Sequence, residues 1–253
     1  MKTSIVTGGA SGIGLELSKL LIKDNYKVYI VDNNSKNLNR LKKNLDSSSY
    51  EGINIDMSSV SSPKKIYNML KGKNIEILIN NAGFGDFGKF YQTDWEKGEK
   101  MINLHVLNTT HLTRLFLKDM VKKNSGKILN ISSVAAFQPG PLMSIYYATK
   151  AYILHFTEAI ANEVKDKNIS ISVLCPGQTK TDFQKNVSSK KNKIKFNSSC
   201  PVKVAKYGYE GLKANNTISI PGYFNKFIVF LNRLLPRYLV TKIVRYIQEK
   251  NRN

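Results

Sequence analysis

Residues 3–32 read "TSIVTGGASGIGLELSKLLIKDNYKVYIVD". The apolar pair Ile5-Val6 runs into a glycine-rich turn at 7–14. Beyond it, Leu15, Leu17, Leu20, Leu21 and Ile22 form a broad apolar helical face, and "YKVYIVD" at 26–32 has the density of a buried strand. The order strand, turn, helix, strand is the unit from which parallel sheets are built. The glycines suggest a use for the turn. Amides at a helix N-terminus lack intrahelical partners and carry partial positive charge, so a turn without side chains lets a pyrophosphate approach them closely. An isolated glycine cluster is as readily an ordinary tight turn. Asp32, 18 positions past Gly14, adds to the first reading, because that is near the spacing at which a carboxylate meets an adenosine ribose.

Outward from this unit the alternation continues. Strand-like runs recur at 53–56, 75–83, 126–133 and 169–177, and helical patterns fall around 36–45, 62–71, 94–122 and 144–166. The expected fold is α/β: a Rossmann-type doubly wound parallel sheet with helices on both faces. There are no internal repeats and no clear linker, so residues 1–253 read as a single domain. After Gly177 the pattern loosens. Residues 184–200 are polar and lysine-rich, a loop profile, and 184–225 is the expected substrate region. "TISIPG" at 217–222 is a last strand.

Composition narrows the classes. A chain of 253 residues with 42% hydrophobic and 23% charged residues is ordinary for a globular protein. The formal net charge of +21 is not ordinary, and such a field draws a protein toward anionic partners. Yet the basic residues are spread along the chain, and no zinc-finger spacing or arginine-rich arm points to nucleic acid. Cys175 and Cys200 are too few and too far apart for a metal site or redox pair, so no metal and a cytoplasmic setting are expected. A first strand at about Thr3 leaves no room for a signal peptide, and no apolar run reaches the roughly 20 residues of a membrane span.

The chemistry lies in "NISSVAAFQPGPLMSIYYATKAY" at 130–152. Tyr146 and Lys150, four apart on a helix, share one face. A lysine cation beside a phenol lowers its pKa from about 10 toward neutrality, making a proton donor and acceptor. Four other Tyr/Lys pairs have the same spacing, at 67/71, 209/213, 238/242 and 246/250. Only Tyr146 has a serine 13 positions upstream. That residue, Ser133, ends a strand, where open parallel sheets place their ligands.

With these residues in place, the chain resembles the classical short-chain dehydrogenase/reductase family over nearly its whole length. The resemblance rests on "TGGASGIG", Asp32, Asp56, "NNAG" at 80–83, Ser133, the Tyr146/Lys150 pair and "PG" at 176–177, all in family order. The runs "NNAGFGDFGKF", "LTRLFLKDM" and "IPGYFNKFIVFLNRLLP" are similar to bacterial members described only as dehydrogenases of various substrate specificities. The resemblance implies that Gly8, Ser11, Gly12, Ile13 and Gly14 form the pyrophosphate turn, Asp32 takes the ribose hydroxyls, and Asp56 with Met57 flanks the adenine. It implies further that Asn81, Ala82 and Gly83 line the cofactor together with Pro176 and Gly177, and that Thr181 contacts the nicotinamide carboxamide. Tyr146 would be the general acid/base, Lys150 would bind the nicotinamide ribose, and Ser133 would orient the substrate oxygen. One position departs from the family: His105 stands where an asparagine supports a proton-conducting water chain, and histidine also relays protons. Asn103 or Asn108 takes its place only with a shifted helix register.

The implied activity interconverts a secondary alcohol and a ketone by hydride transfer; the alternative is a nucleotide-binding, membrane-associated member without turnover. Asp32 repels a 2′-phosphate, which favours NAD, while Lys36 in the next loop leaves NADP open. The expected partners are a small alcohol or ketone, lipophilic if the tail meets a membrane, and further copies of the chain joined through 94–122 and 144–166. The extension at 223–253 mixes apolar and basic residues about Pro236. It either covers the cleft, packs on a second subunit, or lies peripherally on an anionic membrane.

Overall fold

The computed structural model describes residues 2–183 and 198–252. Seven parallel strands form one sheet in the order β3-β2-β1-β4-β5-β6-β7. They are β1 (Lys2–Thr7), β2 (Tyr26–Asp32), β3 (Tyr50–Asn54), β4 (Ile75–Asn80), β5 (Gly126–Ile131), β6 (Ile169–Leu174) and β7 (Ile218–Ser219). The strand order reverses direction at β1, so the crevice beyond the carboxyl ends of β1 and β4 is the topological switch point where such sheets bind ligands.

Neighbouring side chains in a strand face opposite ways, and both faces are covered. On one face Val6, Ile30, Leu129 and Leu174 pack under Leu17 and Leu21 of α1 (Gly12–Lys23). On the other, Ile5, Leu78 and Ile128 meet Ile66 of α3 (Ser62–Met69) and Leu112, Phe116 and Met120 of α5 (Thr109–Lys123). The remaining helices of the central region are α2 (Ser35–Leu41), α4 (Trp95–Ile102) and α6 (Ser144–Glu163).

Two elements differ from the sequence expectation. The helix expected over 94–122 is interrupted: between α4 and α5, Asn103–Asn108 forms a π-helical turn. The Thr109 hydroxyl donates to the carbonyl of Leu104, and the Asn108 amide donates to the carbonyls of Met57 and Ser59. These bonds hold an extra residue in the turn. The second difference falls inside 184–225. Residues 184–197 lie outside the described residues, but Pro201–Lys213 is a helix, α7, that packs against α1 and the sheet. Val204, Ala205, Tyr209 and Leu212 are its buried face, and Pro201 supplies a starting residue that needs no amide partner. Gly208 and Gly211 hide the apolar period in the sequence. A Cβ on Gly208 would meet Leu174 at 2.5 Å, so the glycine sets how closely helix and strand approach.

As expected, Pro236 separates two helices, α8 (Tyr223–Leu234) and α9 (Arg237–Arg252). Val240 and Val244 of α9 pack with Ala135, Met143 and Tyr147. Among the described residues, no helix is long and apolar enough to cross a membrane.

Candidate active site

A cleft of about 1030 Å³ opens at the carboxyl ends of the strands. At one end the chain leaves β1 through Gly8, held at φ +61°, and enters α1 at Gly12, φ +53°. A Cβ on Gly14 would lie 2.2 Å from the Gly8 carbonyl, so the first turn of α1 sits directly beneath the loop. Asn81 fastens the loop from the other side: its side-chain amide donates to the carbonyls of Thr7 and Gly8, each at 3.0 Å. Thr7 completes the fastening by accepting from the backbone amides of Asn81 and Ala82. Ser11 precedes α1 without capping it through its side chain, which leaves the helix amides facing the cleft. Glycine at 8, 12 and 14 is thus demanded by conformation and close approach, and the cradle so formed fits a pyrophosphate.

At the tip of β2, Asp32 is nearly buried, and its carboxylate accepts from the amides of Ala10 at 3.1 Å and Asn34 at 2.9 Å. The adjoining wall is Asn33, Asn34 and Asn37, and Lys36 is not among the lining residues. Asp56 is exposed and folds back on Ser58, whereas Met57 is buried and lines the cleft. Thr181 lies over the glycine turn, its methyl 3.0 Å from where a Gly12 Cβ would be.

The other end gathers the residues of 130–152. Ser133 ends the extended stretch after β5, its hydroxyl accepting from the amide of Ala135 at 3.1 Å and facing the Pro176 carbonyl at 3.4 Å. The Val134 amide also donates to Pro176, so the "PG" segment and the serine are tied together. Lys150 is buried, with its ammonium 2.9 Å from the carbonyl of Ile131 and 5.7 Å from the Tyr146 ring centre. Burial pulls the Lys150 pKa down to about 8, against a smaller opposing effect of Cys175. The Cys175 thiol is itself pushed up to about 12 by burial, which keeps it protonated and inert. Tyr146 is boxed by Phe183, His105 and Tyr147, at ring separations of 5.4, 6.0 and 6.2 Å.

His105 is fully buried behind this wall. Its Nδ1 lies 2.9 Å from the Thr149 hydroxyl, which in turn donates to the Tyr146 carbonyl at 2.9 Å. A hydroxyl has one proton, so Nδ1 is the protonated nitrogen and Nε2 bears the lone pair. That Nε2 is 2.9 Å, and the Lys150 ammonium 3.6 Å, from the point a Gly83 Cβ would occupy. Burial first, then the Lys150 cation, holds the His105 pKa well below 6.5, and the imidazole is neutral. Asn108 cannot stand in for it, since its amide is spent on Met57 and Ser59.

Of the residues to which the resemblance gives a catalytic or cofactor role, all line one cleft except Gly14, which underlies the turn, and His105, which stands behind Gly83 and Lys150; Lys36, Asn103 and Asn108 do not line it. Sequence reasoning missed Thr149, the link between His105 and the Tyr146 backbone. It also missed Gln248, whose amide donates to the Tyr147 hydroxyl at 2.7 Å from α9. Spacing along the chain gives no sign of a contact made across a hundred positions.

The family model for short chain dehydrogenases matches residues 2–192. The chain belongs to the short-chain dehydrogenase family. Among curated members of that family, the very-long-chain 3-oxoacyl-CoA reductase of Rattus norvegicus is 30% identical over 258 residues, covering 99% of this chain and 80% of that protein. The 3-oxoacyl-acyl-carrier-protein reductase FabG of Rickettsia prowazekii (strain Madrid E) is 29% identical over 190 residues, 75% of this chain and 77% of that one. Among solved structures, a short-chain dehydrogenase from Sphingobium yanoikuyae in complex with NADPH superposes with a TM-score of 0.81 at 25% identity, covering 88% of this chain and 89% of that one.

Proposed function

We propose that this short-chain dehydrogenase reduces a ketone, or oxidises the corresponding secondary alcohol, on a lipophilic acyl-type substrate with NAD(H). The observation that carries the reading is the convergence of Ser133, Tyr146 and Lys150 on one wall of a cleft whose other end is the glycine cradle and Asp32. When bound, the dinucleotide supplies or accepts the hydride. Gly8, Ser11, Gly12 and Ile13 would hold its phosphates and Asp32 its adenosine ribose. The Asp32 carboxylate, with asparagines rather than cations beside it, favours the ribose diol over a 2′-phosphate.

The chain's own groups manage the proton. The Ser133 hydroxyl, positioned by Ala135 and Pro176, holds the substrate oxygen. The Tyr146 hydroxyl donates a proton to that oxygen in reduction and withdraws it in oxidation. The Lys150 ammonium stabilises the phenolate left behind, and its pKa of about 8 lets it pass a proton onward near neutral pH. His105, held neutral behind Gly83 and Lys150, stands where the resemblance puts an asparagine that supports a proton-conducting water chain, and its Nε2 lone pair offers that chain a hydrogen-bond acceptor. The acyl-type substrate is supported by the reductase relatives and by the apolar wall of Phe183, Met143 and Tyr147. Exposed Trp95, Leu107 and Tyr152 on the helical surface from α4 to α6 support assembly with further copies there.

The test is a fluorescence titration with NADH and NADPH, followed by turnover of 3-oxoacyl thioesters and simple ketones. Tighter binding of NADH with turnover is expected. Binding of neither nucleotide would overturn the reading, and binding without turnover of any carbonyl would favour a nucleotide-binding protein.

A further inference from the structure

Helices α8 and α9 each bury one side and present a continuous apolar stripe on the other. In α8 the buried side is Val229, with Asn225 and Asn232 half-buried beside it. Opposite lie Phe224, Phe227, Phe230, Leu231 and Leu234, spaced at three and four residues and 37–64% exposed. In α9, Val240, Val244 and Gln248 face inward to the cleft wall. Leu239, Ile243, Tyr246 and Ile247 face out, 36–64% exposed.

Cations accompany both stripes. Lys226, Arg233, Arg237, Lys242, Arg245 and Lys250 are all exposed, against a single carboxylate, Glu249, which Arg245 engages at 2.9 Å. Three of the ammoniums lie near exposed tyrosine rings of the same helix: Lys226 at 5.9 Å from Tyr223, Lys242 at 5.8 Å from Tyr238 and Lys250 at 6.0 Å from Tyr246. The cations thus flank the aliphatic stripes at the exposed border of each helix, Lys226 lying also 5.8 Å from the ring of Tyr207 in α7.

We propose that this face docks on an anionic lipid bilayer, with the apolar stripes in the interface and the cations on lipid phosphates. Charge decides the occupant. With Arg245 paired to Glu249, a second copy laid on the same face would bring the five other cations against five, whereas an anionic bilayer complements them. Length decides the mode. The 12 residues of α8 extend about 18 Å, well short of the roughly 30 Å hydrocarbon core, so the helix lies in the surface. The inner side of α9 is the cleft wall, through Gln248 and Tyr147, so docking sets the cleft beside the bilayer.

The experiment is sedimentation of the full chain with phosphatidylglycerol-containing vesicles and with pure phosphatidylcholine vesicles, alongside light scattering for subunit number. Binding to the anionic vesicles is expected, released by salt and much weaker on the neutral ones. Neutralising Lys226, Lys242 and Lys250 to Gln should weaken binding about fivefold per cation, on the order of a hundredfold in all. Phe227→Ser with Phe230→Ser should also weaken it while leaving the melting temperature and subunit number unchanged, because both rings are solvent-exposed. No sedimentation with either vesicle, or equal sedimentation with both, overturns the proposal. So does dissociation of an oligomer by the serine variants with vesicle binding intact, which would assign the face to a second copy.

Discussion

Replacing His105 by Asn should flatten the acid limb of the stability curve. The folded chain holds this imidazole neutral, by burial first and the Lys150 cation second, while the unfolded chain lets it titrate at about 6.5. The folded-state pKa is the depressed one. The contribution to stability is therefore complete above the unfolded pKa and is lost as pH falls below it, since unfolding then takes up a proton. Between pH 7 and pH 5 the loss has an upper limit of about 2 kcal/mol, set by an imidazole that stays neutral in the folded chain while the unfolded one charges along a slope of about 1.4 kcal/mol per pH unit. Asn at 105 has no proton to take up. Urea unfolding of both proteins at the two pH values gives four free energies, and the difference of differences isolates position 105. Carboxylates cancel in that comparison, and Lys150, with a pKa of about 8, is charged at both pH values. Parallel curves would refute the assignment of a buried, neutral histidine. The same assignment removes any His105 ionisation near 6.5 from the pH–rate profile of the wild-type enzyme.

Tyr146→Phe should lower kcat by about 10²–10⁴-fold with NADH affinity unchanged, measured by fluorescence titration and turnover on one preparation. Gly14→Ala forces a methyl to 2.2 Å from the Gly8 carbonyl, a backbone atom that cannot swing aside. The expected cost is about 3 kcal/mol, a fall in Tm of about 6–12 °C by calorimetry, with loss of nucleotide binding. Asp32→Ser removes the carboxylate that the Ala10 and Asn34 amides orient, and the ratio of NADPH to NADH affinity should rise about tenfold.

The strands of the first unit were legible because a parallel strand buried on both faces is a continuous apolar run, as in residues 26–32. The cradle was legible because its glycines are set by local geometry, with Gly8 and Gly12 at positive φ. Ser133, Tyr146 and Lys150 were legible as a set, since a serine 13 positions upstream singled out one Tyr/Lys pair from five. Helix α7 was not, because Gly208 and Gly211 are chosen for contact with Leu174 and Ser219, partners that only the folded sheet brings near. Gln248 was invisible for the same reason. The helix expected over 94–122 was right in extent and wrong in continuity, because apolar periodicity is too coarse to reveal one added residue.

That added residue has an evolutionary side. Helical neighbours turn about 100° per residue, so deleting one position within Asn103–Asn108 would rotate the preceding helix by that angle relative to α5. His105 would swing off Thr149, or Asn108 would leave the loop after β3; both anchors cannot survive in a plain α-helix. The turn works like a reading frame. Substitutions inside it change one side chain, but an insertion or deletion reassigns which residue faces Lys150, so relatives that differ there in length by one would present a different side chain to the lysine from a nearly identical string of residues.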